Sequence, residues 1–159
     1  MIKLLKLLEN DARMPHDELA SRLGVGADEV KRQIKDLEDR GIIAGYHTVI
    51  DWDKTDSETV TAMIDVKVTP QRDMGFDRVA KRIYQFDEVE SLYLMSGGYD
   101  LSVLISGRTM KEVALFVSQK LSTMESVTGT ATHFLLKKYK EGGIVYERVS
   151  DDQERIQLV

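Results

Sequence analysis

The 159-residue sequence predicts an α+β chain in two parts: three short helices, then a βαββαβ domain with an extra C-terminal hairpin strand. Three observations carry this. As far as Arg40, apolar residues recur at intervals of three and four, the period of a helix face. From Val60 they alternate with polar residues, the period of a half-buried strand, broken twice by helical stretches. Between the two, residues 51–59 hold four carboxylates and few apolar side chains, as a linker does.

The elements follow in order. Ile2, Leu5, Leu8 and Ala12, widened by Leu4, make one stripe of a helix over residues 2–13. Pro15 suits the first turn of a second helix, where its missing N–H has no partner to lose. Leu19, Ala20 and Leu23 are its apolar residues, and Gly24 supplies a left-handed end. A third helix runs from Ala27 to Arg40, with Val30, Ile34 and Leu37 on its inner stripe and Gly41 as its stop. Ile42–Ile43 and Tyr46–Ile50 are short β-like runs.

In the second part, Ala62, Ile64, Val66 and Val68 alternate with Thr61, Met63, Asp65 and Lys67 in a strand ended by Pro70. Phe76, Val79, Ala80 and Ile83 give a helical stripe. Strands follow at Val89–Met95 and, after the turn Ser96–Asp100, at Leu101, Val103 and Ile105. Thr109 to Glu112 is a capping box opening a helix with Val113, Phe116, Val117 and Leu121 inside. A strand from Val127 to Lys138, a Glu141-Gly142-Gly143 turn and a hairpin strand Ile144–Val149 complete the order. The arrangement is the ferredoxin-like split βαβ. Its two helices cover one face of the sheet, yet Leu92–Met95 and Thr130–Leu136 are apolar on both faces, which predicts that a second copy covers the other. The expected domains are 1–45 (three helices), 46–59 (connecting strand and linker), 60–150 (ferredoxin-like) and 151–159 (polar tail).

Composition narrows the function. Hydrophobic residues at 42% suffice for a core, charged residues at 31% keep the chain soluble, and no apolar run approaches a membrane span of about 20 residues. The N-terminal apolar run is interrupted by Lys6 and lacks a cleavage site, so it does not resemble a signal peptide. The absence of cysteine excludes disulfides, thiol catalysis and thiolate metal sites, and fits a cytoplasmic location. No catalytic constellation is present. His16, His47 and His133 lack ligand spacing, there is no phosphate-binding GxxxxGK[ST], and Asp51-Trp52-Asp53 has its plainest explanation as the start of the linker. We therefore expect no enzyme, no cofactor and no metal.

The spacing Ala20, Gly24, Val30 has a mechanism. A small residue lets the second and third helices approach, a glycine turns the chain between them, and a valine locks the third helix down. That is helix-turn-helix geometry, with the third helix in the major groove of double-stranded DNA. Asp28, Arg32, Lys35 and Asp39 lie opposite the buried stripe, with Lys31 at the edge. Ala27 and Asp28 bring the helix N-terminus to a phosphate, and Lys31, Arg32 and Lys35 reach phosphates or guanine edges. Two facts oppose this: the net charge is −5, and residues 1–55 hold nine Lys/Arg against eleven Asp/Glu. A packing module with a solvated third helix, contacting protein rather than DNA in a metabolite-binding regulatory oligomer, is the alternative.

Nearly the whole chain resembles the Lrp/AsnC, or feast/famine, family of prokaryotic transcription regulators. Leu4 to Arg13 with Glu18-Leu19-Ala20 are similar to its first two helices. Val30, Ile34, Leu37-Glu38 and Gly41 to Tyr46 resemble its recognition helix and the strand after it. Gly97-Gly98-Tyr99-Asp100 falls at its glycine-rich effector turn, and Thr130 and Thr132 match its threonine pair. The resemblance implies a DNA-binding domain, a ligand-sensing domain, homodimers that assemble further to octamers, and an amino acid as small-molecule effector. Against the family pattern, the chain begins inside the first helix, Gln33 replaces a frequent arginine, and Gly98 replaces a frequent acid. The effector site so implied is Gly97, Gly98, Tyr99, Asp100, Thr130 and Thr132. There the glycines would open backbone N–H groups to a carboxylate, Asp100 would hold an ammonium group and the hydroxyls would orient the ligand. The plainer account is a hairpin turn beside ordinary strand threonines.

Overall fold

The computed structural model describes residues 1–69 and 75–146. They form two compact units, one built on residues 1–50 with the chain from Lys140, the other on 51–139. Pro70, Glu147–Val149 and the tail 151–159, which carried expectations above, lie outside the described residues.

The first unit holds α1 (Ile2–Asn10), α2 (His16–Leu23) and α3 (Ala27–Asp39). Its core is Leu4, Leu8, Leu19, Ala20, Val30, Ile34 and Leu37. The α3 stripe is the expected one. The α1 stripe is displaced: Leu4 and Leu8 are buried, Leu5 and Leu7 flank them, and Ile2 is 67% exposed. The helix also ends three residues earlier than the 2–13 expected. Asp11 leaves helical geometry, and its carboxylate accepts the Arg13 N–H at 2.9 Å in a local turn that competes with another helical turn.

Pro15 is the cap before α2 rather than its first residue, with Asp17 and Glu18 in the first turn. Gly24 closes α2 at φ +70°, its N–H donating to the Ala20 carbonyl. After α3 the chain departs from expectation. The N–H groups of Ile42 and Ile43 both donate to the Leu37 carbonyl, at 2.9 and 3.1 Å, so these residues wrap the helix end and are not available to a ladder. Tyr46–Ile50 has no strand partner among the described residues. The Tyr46 hydroxyl donates to Glu38 at 2.8 Å, and that carboxylate raises the phenol pKa above its ordinary value.

The second unit is a four-stranded antiparallel sheet: β1 (Val60–Val68), β2 (Val89–Leu94), β3 (Leu101–Gly107) and β4 (Val127–Phe134), in the order β2-β3-β1-β4. With α4 (Asp77–Ile83) and α5 (Met110–Phe116) this is the ferredoxin-like arrangement expected. Ala62, Ile64 and Val66 pair with Ile105, Val103 and Leu101, and all six are buried. Val79, Ile83, Val113, Phe116 and Leu121 complete that core from the helices. The Thr109 hydroxyl accepts the Glu112 N–H at 3.1 Å, and Glu112 in return accepts the Arg108 N–H at 2.8 Å, the capping box displaced by one residue.

Two elements end differently from expectation. Val117–Leu121 widens into a π turn, the Ser122 N–H donating to the Val117 carbonyl at 2.8 Å; Leu121 stays buried while Val117 is only partly so. Strand β4 stops at Phe134, not Lys138, because its ladder partner runs out: Phe134 pairs with Ala62, Leu135 donates to Thr61, and β1 begins at Val60. Leu136, expected within the strand, is 96% exposed. The last hairpin, β5 (Lys140–Glu141) and β6 (Ile144–Val145), turns at Gly142 and Gly143, whose φ values of +53° and +84° suit a two-residue turn.

Candidate DNA-reading helix and effector turn

Helix α3 takes its place from the pair Ala20 and Val30, 7% and 0% exposed, and from the turn at Gly24. With Val30, Ile34 and Leu37 inside, the opposite line of the helix is Asp28, Arg32, Lys35 and Asp39. The expected candidates are thus on one accessible surface: Asp28, Lys31, Arg32 and Lys35 are exposed, and Ala27 is half-buried at the helix start. Gln33 is half-buried and donates to Glu29 at 2.8 Å, so it is turned away from that line.

The helix cations are not idle. Lys31 pairs with Asp28 at 3.6 Å, Arg32 with Glu29, and Lys35 with Asp39 at 3.1 Å. Just past the helix Arg40 pairs with Asp36 at 2.9 Å. These pairs were legible as spacings of three and four, although the sequence reading counted the cations without their partners.

The candidate effector turn lies between β2 and β3. The Met95 N–H donates to the Asp100 carbonyl at 2.8 Å and closes it. The Asp100 carboxylate accepts the Val68 N–H at 2.8 Å, and the Lys67 ammonium donates to the Gly98 carbonyl at 2.8 Å, so β1 holds the turn from the side. Lys67 was missed by the sequence reading: it lies 31 residues from Gly98, with no local signal linking them. Neither Gly97 nor Gly98 adopts a positive φ, so the left-handed step on which the expected backbone nest depends is absent from this turn. Tyr99 is 38% exposed. Thr130 and Thr132 pair with Val66 and Ile64, and therefore lie on the helix-covered side of edge strand β4. Val66 separates Thr130 from Leu101, the residue after Asp100, so Thr130 and the turn flank the same end of β1, with Thr132 opposite the middle of that strand.

On the sheet face away from the helices stand Met63, Asp65, Tyr93, Leu104, Ala131 and His133. His133 Nε2 is 3.3 Å from Asp65. On the other side, Lys120 pairs with Glu88 and stands over the Phe86 and Phe116 rings at 4.9 and 5.5 Å. Its hydrogen bond holds the Glu88 carboxyl below the ordinary carboxylate range. Among the described residues no group of three or more His, Asp or Glu is placed to hold a metal, and no helix is long and apolar enough to cross a membrane.

Comparison with known proteins places both units. Residues 1–44 match the model of a winged helix-turn-helix DNA-binding domain, and residues 61–145 that of the Lrp/AsnC ligand binding domain. The uncharacterized HTH-type transcriptional regulator YugG of Bacillus subtilis is 54% identical, over 97% of this chain and 93% of its own. The HTH-type transcriptional regulator LrpA of Pyrococcus horikoshii is 32% identical, over 86% and 94%. Among solved structures, the transcriptional regulator NMB0573 of Neisseria meningitidis, in complex with L-Met, superposes with a TM-score of 0.70 at 25% identity, covering 88% of this chain and 90% of that one. PH0061 superposes at 0.75 and 23% identity, over 88% and 93%, which speaks for the fold. The DNA-binding match decides against a helical domain that contacts only protein, and the relatives are regulators rather than enzymes. The chain belongs to the Lrp/AsnC family of transcriptional regulators, with a DNA-binding unit and a ligand-binding unit.

Proposed function

We propose that this regulator works in the cytoplasm as a homodimer that assembles further, toward an octamer, and that an amino acid is its effector. Ala27, Asp28, Lys31, Arg32 and Lys35 are its DNA-facing residues. Gly97, Gly98, Tyr99, Asp100, Thr130 and Thr132 line the effector site. The carrying observation is the sheet face left bare by the helices, where Met63 is 41% and Tyr93 56% exposed around the half-buried Leu104. A second copy of the same face is the most economical cover for such a surface. In a symmetric dimer two α3 helices enter successive major grooves, about 34–36 Å apart. The effector class is supported by the NMB0573 relative, whose structure contains L-Met. An amino acid alters DNA binding only if it binds one assembly state more tightly than another.

Calorimetric titration with a panel of amino acids, L-methionine first, together with sedimentation velocity, tests both halves. The reading predicts a species larger than a monomer, and one amino acid that binds and shifts its sedimentation. A monomer at micromolar concentration contradicts the assembly. An oligomer to which no amino acid binds contradicts the effector class.

A further inference from the structure

Helix stability does not account for Asp39. It stands in the last turn of α3, at the negative end of the helix dipole, where an acid is unfavourable, and that turn contains no basic residue. Among the described residues its hydrogen-bonded ion pair is with Lys35, four residues before it, and a cation N-terminal to its acid is the weaker order for such a pair. Its side chain is 64% exposed, so burial against the core does not hold it. It also lies nine residues past Val30, two and a half turns, and so points directly away from the buried stripe. At the other end of the same line stands Asp28, fully exposed and paired with Lys31. The outer line of the helix therefore reads acid, cation, cation, acid.

We infer that Asp39, seconded by Asp28, is a specificity-determining residue that withholds the α3 cations from DNA lacking the right base pairs. This rests on the reading that α3 faces DNA. Binding to arbitrary sequence comes almost wholly from phosphate neutralisation. For Lys35 to reach a phosphate it must leave Asp39, and the released carboxylate then faces the polyanion. That double loss falls on every sequence alike. It is recovered where a base edge presents an amino donor to the carboxylate, as cytosine N4 or adenine N6 does in the major groove. Arbitrary DNA is thus weakened more than the proper site. The chemistry recognised by Asp39 is an exocyclic amino group within a half-site.

The test uses the full chain, a random-sequence duplex of about 30 base pairs and fluorescence anisotropy over a salt series. Asp39→Asn is compared with Asp53→Asn, which removes the same charge from the exposed turn at Trp52–Lys54. Freeing one cation predicts, for each α3 engaged, that Asp39→Asn binds the random duplex about eightfold more tightly at 0.1 M salt with a log–log slope steeper by ~0.9, hence about 60-fold and ~1.8 where a dimer engages both helices. Asp53→Asn is expected to stay at the wild-type slope. Enrichment of a randomised duplex library is expected to be less sharp with Asp39→Asn than with wild type. If Asp39→Asn tracks Asp53→Asn in affinity and slope, the inference is overturned. The underlying placement of α3 fails separately, by retention of full affinity in Lys31→Ala/Arg32→Ala.

Discussion

One carboxylate oxygen of Asp100 accepts the Val68 N–H at 2.8 Å, tying the β2–β3 turn to the end of β1. On the proposed effector reading the other meets the ligand. Two substitutions separate these roles. Asp100→Asn keeps an acceptor for Val68 and removes the charge; Asp100→Ala removes both. The effector reading predicts that the Asn variant keeps its melting temperature and loses tenfold or more in amino-acid affinity by calorimetry. The Ala variant is expected to lose stability as well, by about 1–3 kcal/mol, because a part-buried N–H is left without its partner. Unchanged affinity in the Asn variant removes Asp100 from the site. The sequence marked the position through its glycine-rich neighbourhood. It gave no sign of Val68 or Lys67, because ladder register brings them to the turn and no local spacing encodes register.

At the scale of elements, the α2–α3 turn depends on Gly24. At φ +70° a side chain strains the backbone, whereas a Cβ built there meets nothing within 4 Å, so backbone conformation alone sets the cost of substitution. Gly24→Ala is expected to lower stability by about 1–2 kcal/mol, seen as a lower denaturant midpoint with an unchanged slope. An unshifted midpoint would mean that the turn relaxes freely and does not fix α3. Periodicity made α2, α3 and the strand faces legible, since their inner residues are set by repeat alone. The ends of α1 and β4 were not, because they are set outside the repeat: by the Asp11 hydrogen bond in one case, by where the partner strand β1 begins, at Val60, in the other. Ile42 and Ile43 have strand-like side chains, but their amides are spent on Leu37, and composition does not show where an amide goes.

At the scale of the molecule, net charge gives the poorest guide to function. A chain at −5 with an acidic N-terminal half argues against DNA in the far field. The family match nevertheless makes it a DNA-binding regulator, and the paired charges along α3 explain how the two facts coexist. Binding to arbitrary DNA is then expected to be weak, and on the proposed assembly to gain from several copies acting together. The two-part layout was legible because each part has its own hydrophobic period. The expectation of self-association came from strands apolar on both faces; β4 ends short of Leu136, and the surface bare of helices centres on Met63, Leu104 and Tyr93.

The most direct measurement is binding to the DNA upstream of the protein's own gene, at low and moderate salt, for wild type and Lys31→Ala/Arg32→Ala. The account predicts saturable binding by wild type that weakens steeply with salt, and its loss in a double variant that keeps its fold and assembly state. Wild-type affinity in the double variant would contradict the placement of α3 on DNA. Failure of the folded, oligomeric wild type to bind at any salt would contradict the account of DNA recognition itself.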